Sequence, residues 1–129
     1  FMLQKEVVDR LTASPGSKNY GRLSVITQYH CRAENFLMIP PSAFDPPPKV
    51  DSACVKLIPK ATPELIANDL QLFETVVKTA FSQRRKTLQN NFKTFPHTID
   101  WQAIAIEPSA RAETLSVNQF VQLANHITE

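Results

Sequence analysis

Glycine is nearly missing from this chain. Gly16 and Gly21 are the two among 129 residues, too few and too far apart for the G-x-G-x-x-G turn that cradles a dinucleotide. No nucleotide fingerprint is therefore present. Cysteine is as scarce: Cys31 and Cys54 make neither a disulfide framework nor metal-ligand spacing, and are expected as two reduced, partly buried thiols. No apolar run approaches the roughly 18 residues of a membrane span, and no signal peptide opens the chain, so the expected setting is the cytoplasm, away from membranes. Excess charge of one sign is lacking too. Fourteen Lys and Arg against 12 Asp and Glu leave a net charge of +2, so only a local cluster could announce a polyanion partner. His30, His97 and His126 are scattered, with no carboxylate or cysteine at ligand spacing, and no strand-turn-helix context marks a nucleophilic serine.

What the chain has in quantity is proline, 10 residues, five of which stand at positions 40, 41, 46, 47 and 48. Proline fixes φ and removes an amide donor, so this segment is stiff and cannot continue a ladder. Most such clusters are spacers. Here, however, Phe44 is the one large apolar side chain between Ile39 and Val50, and a stiff loop with one aromatic ring can also present that ring to a partner.

Periodicity supplies the elements around the loop. Val7, Val8 and Leu11 share a face over 4–13, giving a short amphipathic helix that Ser14-Pro15-Gly16-Ser17 ends. Between Tyr20 and Cys31 the pattern fits a strand by alternation and a helix by the spacing of Leu23, Ile26, Thr27 and His30; periodicity leaves both open. Asn35–Ile39 and Val50–Ile58 read as two strands joined by the proline loop. Pro59 to Pro63 marks a boundary, after which Ile66, Leu70, Phe73, Val77 and Phe81 recur at the helical period, followed by Leu88, Phe92 and Phe95. An unbroken helix would put Arg84 on the apolar stripe beside Val77 and Phe81, where an unpaired guanidinium is too costly. Either the helix breaks near Ser82, which could cap a second one, or Arg84 has a dedicated partner; the break is the favoured reading. Asp100 can cap a short helix through Ile106, stopped by Pro108, with Trp101 in the core. Ser116 and Gln119 form a capping box, with Leu115 and Phe120 as its hydrophobic staple, starting a last helix from Val117 to about Ile127 that buries Phe120, Val121, Ala124 and Ile127. The second half is expected as a small helical bundle.

The dense basic cluster is Gln83-Arg84-Arg85-Lys86, with Lys93 about two turns on. Such runs are usually solvated surface, and three consecutive residues fan over about 200° of a helix, so at most two can face one partner. Beside a capping Ser they also suit a phosphate backbone.

Several blocks now stand in order: Gln4-Lys5-Glu6-Val7-Val8; Tyr20-Gly21-Arg22-Leu23-Ser24-Val25; Pro40-Pro41-Ser42-Ala43-Phe44 with Pro46 and Pro48-Lys49-Val50-Asp51-Ser52; Ala80-Phe81-Ser82-Gln83-Arg84-Arg85-Lys86-Thr87-Leu88; Arg111-Ala112-Glu113 with Leu115-Ser116. This series resembles the ribosomal RNA adenine dimethyltransferases, above all those acting on two adjacent adenosines of small-subunit rRNA. The likeness runs from residue 1 almost to 129.

The resemblance implies a fold and a role. Family members bind S-adenosylmethionine in a Rossmann-like domain that carries a Gly-rich turn and an Asn-Leu-Pro-Tyr motif, and neither motif stands in this sequence. The implied fold is an α+β fragment: residues 1–59 are the C-terminal edge of the Rossmann-like domain, helices plus a β-hairpin, and residues 60–129 a small all-α domain. Phe1–Leu3 would be the remnant of the fifth strand, and 20–31 a helix. By the same likeness Phe44 stacks on the target base, Pro41, Pro46 and Pro48 keep its loop rigid, and Lys49, Arg84, Arg85 and Lys86 meet RNA. An adenine must leave its stack to be methylated, and a preorganised ring gives it a face to rest on. No catalytic, donor-binding or metal-ligating residue is expected here, so the fragment alone is expected to be inactive. The implied partners are small-subunit rRNA and the small ribosomal subunit or its precursor, met by a monomer. The rival readings are a non-catalytic RNA-binding or ribosome-assembly module, and a helical interaction domain that never meets RNA.

Overall fold

The computed structural model describes residues 2–39, 52–60 and 65–128. Three strands, β1 (Met2–Gln4), β2 (Cys31–Ile39) and β3 (Ser52–Pro59), form one sheet in the order β1-β3-β2, with β3 antiparallel to both neighbours. β1 and β2 thus run in the same direction, joined by the helical crossover that such strands require, through α1 (Lys5–Leu11) and α2 (Arg22–His30). β3 slots between them. The ambiguous segment after Tyr20 is therefore helix up to His30 and strand from Cys31 onward.

β2 and β3 are the hairpin expected from the sequence, with β2 beginning earlier than its apolar run. Their register runs from Cys31 opposite Pro59 to Asn35 opposite Val55, slips by one residue between Asn35 and Leu37, and ends with Ile39 opposite Ser52. The slip is a bulge, which adds twist near the end of the pair. Ile39 and Ser52 flank the proline segment directly. Cys31 and Cys54 stand at separate registers, and both thiols are free and half-buried.

Period-two alternation decides which face of β3 is covered. Ala53 and Val55 are buried and pack with Val8 and Leu11 of α1 into a small core. Burial of this size stabilises by about 1.5–3 kcal/mol per large aliphatic side chain. The polar side of α1 carries two i,i+4 ion pairs, Lys5–Asp9 at 2.9 Å and Glu6–Arg10 at 2.8 Å, each worth only a few tenths of a kcal/mol at such exposure.

α2 places Val25 and Tyr29 in a larger core shared with the second half of the chain. Its main contributors there are α3 (Leu70–Ala80), α4 (Leu88–Asn91) and α5 (Val117–Thr128). An edge-to-face contact of Tyr29 with Phe73 at 4.7 Å ties α2 to α3, and Phe81 lies 5.6 Å from Phe120 of α5. Asp69 caps α3 by accepting from the Leu72 amide at 3.1 Å. Phe73, Val76, Val77 and Ala80 are its buried stripe. Ile66, by contrast, precedes the helix, and both Ile66 and Leu70 are exposed.

Two expectations for the second half come out differently. Residues 101–105 form successive turns, not the helix anticipated behind Asp100. Asp100 Oδ1 does accept from the Ala103 amide, at 3.3 Å, but Ala105 takes a left-handed φ of 55° and Ile106 bonds back to Trp101. So short a stretch cannot offset the cost of helix nucleation, and Trp101 is instead held edge-on to Phe92 at 5.8 Å. Ser82 caps nothing: its hydroxyl donates back to Thr79 O at 2.7 Å, and Thr87 is the residue before α4. The capping box forms as read, with Ser116 N donating to Gln119 Oε1 at 2.8 Å and Gln119 N to Ser116 Oγ at 3.2 Å.

A candidate nucleic-acid interface

The basic cluster lies in the turn between α3 and α4. α3 ends at Ala80, and Asn91 holds the reversal closed by donating from Nδ2 to Ala80 O at 2.9 Å and to Gln83 O at 3.0 Å. A second tie, Lys86 N to Gln83 O at 3.0 Å, tightens the turn. This conformation separates the three cations. Arg85 and Lys86 are exposed, while Arg84 is turned toward protein.

Arg84 meets four acceptors. Nη1 donates to Tyr20 O at 2.6 Å; Nη2 reaches Lys18 O at 2.8 Å, Ser17 O at 3.3 Å and Glu113 Oε2 at 3.0 Å. A planar fork of donors is suited to gathering several oxygens at once, which an ammonium cannot do in the same geometry. Glu113 also grips the same loop through its backbone, its carbonyl accepting from Gly16 N at 2.6 Å. Gly16 has a φ of +90° with open space where a side chain would project, so it is the backbone angle that calls for glycine there. Both alternatives weighed for Arg84 hold together: the helix stops before it, and it has dedicated partners.

The anchored loop feeds directly into α2. Ser24 is fully buried; its hydroxyl accepts from Gly21 N at 3.1 Å and donates to Arg10 O. One turn on, Gln28 Nε2 donates to Leu11 O at 2.9 Å and Ala13 O at 2.8 Å, satisfying carbonyls that the end of α1 leaves open. Tyr20 is buried beneath this arrangement, edge-on to Phe81 at 6.2 Å, and burial pushes its phenol well above the usual tyrosine range.

Beside the Arg84 anchor an open cleft of about 530 Å³ is lined by Glu6, Arg10, Lys18, Asn19, Arg22 and Arg84. Sequence reasoning singled out neither Lys18 nor Arg22. They are separated from the basic cluster by some sixty positions, and only the fold brings them beside Arg84. Glu113 was visible as part of an Arg-Ala-Glu block, but nothing local named its partner.

Phe44, Pro41, Pro46, Pro48 and Lys49 lie outside the described residues. Among the described residues no three His, Cys, Asp or Glu side chains gather as a metal site, and no helix is long and apolar enough to cross a membrane. His126 accepts from the Asp100 amide at 3.2 Å through Nε2, a structural tie.

Comparison with known proteins gives a consistent result. The family model described as ribosomal RNA adenine dimethylase matches residues 1–129. A protein of Chromohalobacter salexigens named ribosomal RNA small subunit methyltransferase A is 54% identical over 129 residues, 100% of this chain and 46% of that protein. The protein of the same name from Pseudomonas aeruginosa is 52% identical over 100% of this chain and 48% of its own length. The chain thus spans about half the length of these relatives. Among solved structures, a dimethyladenosine transferase from Plasmodium falciparum superposes with a TM-score of 0.78 at 28% identity, over 95% of this chain and 54% of that one.

Proposed function

The chain belongs to the ribosomal RNA adenine dimethylase family, and from that premise we propose that the complete protein transfers methyl groups from S-adenosylmethionine to N6 of two adjacent adenosines in small-subunit rRNA. The observation that carries this reading is the unbroken match of residues 1–129 to the family, at 54% identity to a small-subunit methyltransferase. In this reading residues 1–59 close the sheet of the Rossmann-like domain and residues 60–129 form a helical domain. All described strands lie ahead of residue 60, which supports that division, while α2 packs Val25 and Tyr29 into the core of the helical part.

S-adenosylmethionine is the donor the family implies. The described residues do not fit it: Gly16 lies in a loop and Gly21 precedes α2, and neither stands in a Gly-rich strand-to-helix turn. No step through the donor is derived from them. We assign donor binding to the portion of its relatives that this chain does not span, and these 129 residues by themselves should transfer no methyl group.

The part these residues play is to receive RNA. β2 and β3 stay paired up to Ile39 and Ser52, the described residues nearest the proline segment on either side. Phe44 on that segment is assigned to stacking against the flipped adenine, with Pro41, Pro46 and Pro48 limiting the entropy lost in placing the ring. Lys49, Arg85 and Lys86 are assigned to the RNA backbone. Arg84, grouped with them by sequence, serves by holding the loop and turn in register, a role its four protein acceptors support.

The test is Phe44→Ala in the complete protein, with methyl transfer to small-subunit rRNA and RNA affinity measured together. Removing a stacking partner worth roughly 1–3 kcal/mol predicts a fall of about 5- to 150-fold in transfer efficiency. An unchanged rate would remove Phe44 from the site. Binding of rRNA by the unaltered protein with no transfer at all would favour the non-catalytic assembly module.

A further inference from the structure

We propose that Lys18 and Arg22 form a second phosphate-binding position, so that the rRNA backbone is held on both sides of Arg84: at Arg85 and Lys86 in the α3–α4 turn, and at the cleft above α2. This rests on the RNA-binding reading and extends it to residues outside the basic cluster.

Charge pairing within the cleft carries the argument. Of its four cations, Arg10 is paired with Glu6 at 2.8 Å and Arg84 with Glu113 at 3.0 Å. Lys18 and Arg22 are exposed and make no ion pair among the described residues. Two uncompensated positive charges therefore face one open hollow of about 530 Å³. The hollow is lined by Asn19, Ser24, the four cations and Glu6, whose carboxylate is taken up by Arg10, with Leu23 its one large apolar side chain; this suits a hydrated phosphodiester better than an apolar ligand.

Preorganisation adds to charge. The Lys18 carbonyl is held by Arg84 Nη2 at 2.8 Å and the Tyr20 carbonyl by Nη1 at 2.6 Å, so the backbone bearing Lys18 is fixed before RNA arrives. Ser24, donating to Arg10 O and accepting from Gly21 N, fixes the first turn of α2, on which Arg22 stands. Less order remains to be imposed on binding, which favours affinity. Arg84 reaches the Lys18 carbonyl from its place beside Arg85, so one anchor ties the two basic positions together.

The experiment measures affinity of the complete protein for small-subunit rRNA across a salt series. Every cation removed from a phosphate should lower the slope of log affinity against log salt by roughly 0.7–0.9, so Lys18→Ala with Arg22→Ala should lower it by roughly 1.4–1.8. Arg85→Ala with Lys86→Ala should lower it independently, and the quadruple variant by the sum. The exchange Lys18→Arg with Arg22→Lys, which keeps the charge, should retain the parent slope. An unchanged slope in the first double variant, with a reduced slope in the second, overturns the second position while leaving the functional reading intact. A reduced slope in the charge-keeping exchange also overturns it, since the cause would then be structural. Failure of the unaltered protein to bind rRNA overturns both.

Discussion

Arg84 Nη2 stands 3.0 Å from Glu113 Oε2, joining the α3–α4 turn to the segment that precedes α5, 29 positions later in the chain. The same guanidinium holds three carbonyls of the loop that opens α2, and Glu113 holds that loop again through its backbone. One side chain thus coordinates three segments, and its removal leaves several acceptors without a donor.

Arg84→Ala should therefore destabilise the complete protein by about 1.5–3 kcal/mol, the range for hydrogen bonds to a charged group. Arg84→Lys should recover only part of this, because an ammonium lacks the fork. Arg85→Ala, at an exposed site, should stay within about 0.5 kcal/mol of the parent. Urea denaturation checks all three: a lower midpoint at constant slope is expected for Arg84→Ala, and an unmoved midpoint would contradict the anchoring role.

Tyr20→Phe should be neutral or stabilising at neutral pH. The ring is fully buried, and its hydroxyl has no hydrogen-bond partner among the described residues, so folding strips water from a polar group without return. Burial also raises the folded-state pKa above the ordinary value of 10.0. The stability linked to this phenol is fully present below that ordinary value and is lost as pH rises above it, because the unfolded chain ionises first. Denaturation series at pH 8 and pH 11 should show a steeper alkaline loss for the parent than for Tyr20→Phe.

The capping box gives a sharper test of a contact legible in sequence. Ser116→Ala should cost about 1 kcal/mol. Gln119→Ala should also cost stability, since Ser116 N then loses its acceptor. A double-mutant cycle by denaturation should give a non-zero coupling between them, because each side chain serves the other's amide. Strict additivity would mean that the two bonds do not act as a unit.

That box was readable because its donors and acceptors lie within one helical turn. The hairpin is legible for a similar reason, since composition marks both strands and the prolines separate them in sequence. Arg84 shows where local reasoning ends. The helical wheel required either a break or a partner, and both exist, yet the carbonyls of residues 17–20 come from more than sixty positions away and leave no mark in the sequence beside Arg84. α2 resisted periodicity because His30 passes without a loop into β2, so helical and alternating patterns overlap. At Trp101–Ala105 the pattern was helical but the segment was short, and packing of Trp101 on Phe92 prevailed. Lys18 and Arg22 carry no local sign of a binding role, because isolated cations have no period; only the cleft brings them together.

Gln28→Glu should make stability depend on pH in the sense opposite to that of a salt-bridged carboxylate. Gln28 donates to both Leu11 O and Ala13 O, a task for an amide that a carboxylate cannot perform, since an ionised carboxylate only accepts. Facing two carbonyl oxygens, the new Glu should hold its proton more tightly when folded than the ordinary value of about 4.3. Its favourable state, protonated and donating one bond, is present below that ordinary value and lost as pH rises through the raised folded one. Relative to the parent at each pH, the variant should be down by about one hydrogen bond, roughly 1 kcal/mol, at pH 4, and should lose about 1.4 kcal/mol more for each unit of pKa elevation by pH 7. Gln28→Leu should show a cost of about 1–3 kcal/mol at both pH values, since it strands the carbonyls without titrating. Equal pH profiles for the two variants would mean that the carbonyls find other donors, and that α1 does not depend on α2 for its C-terminal end.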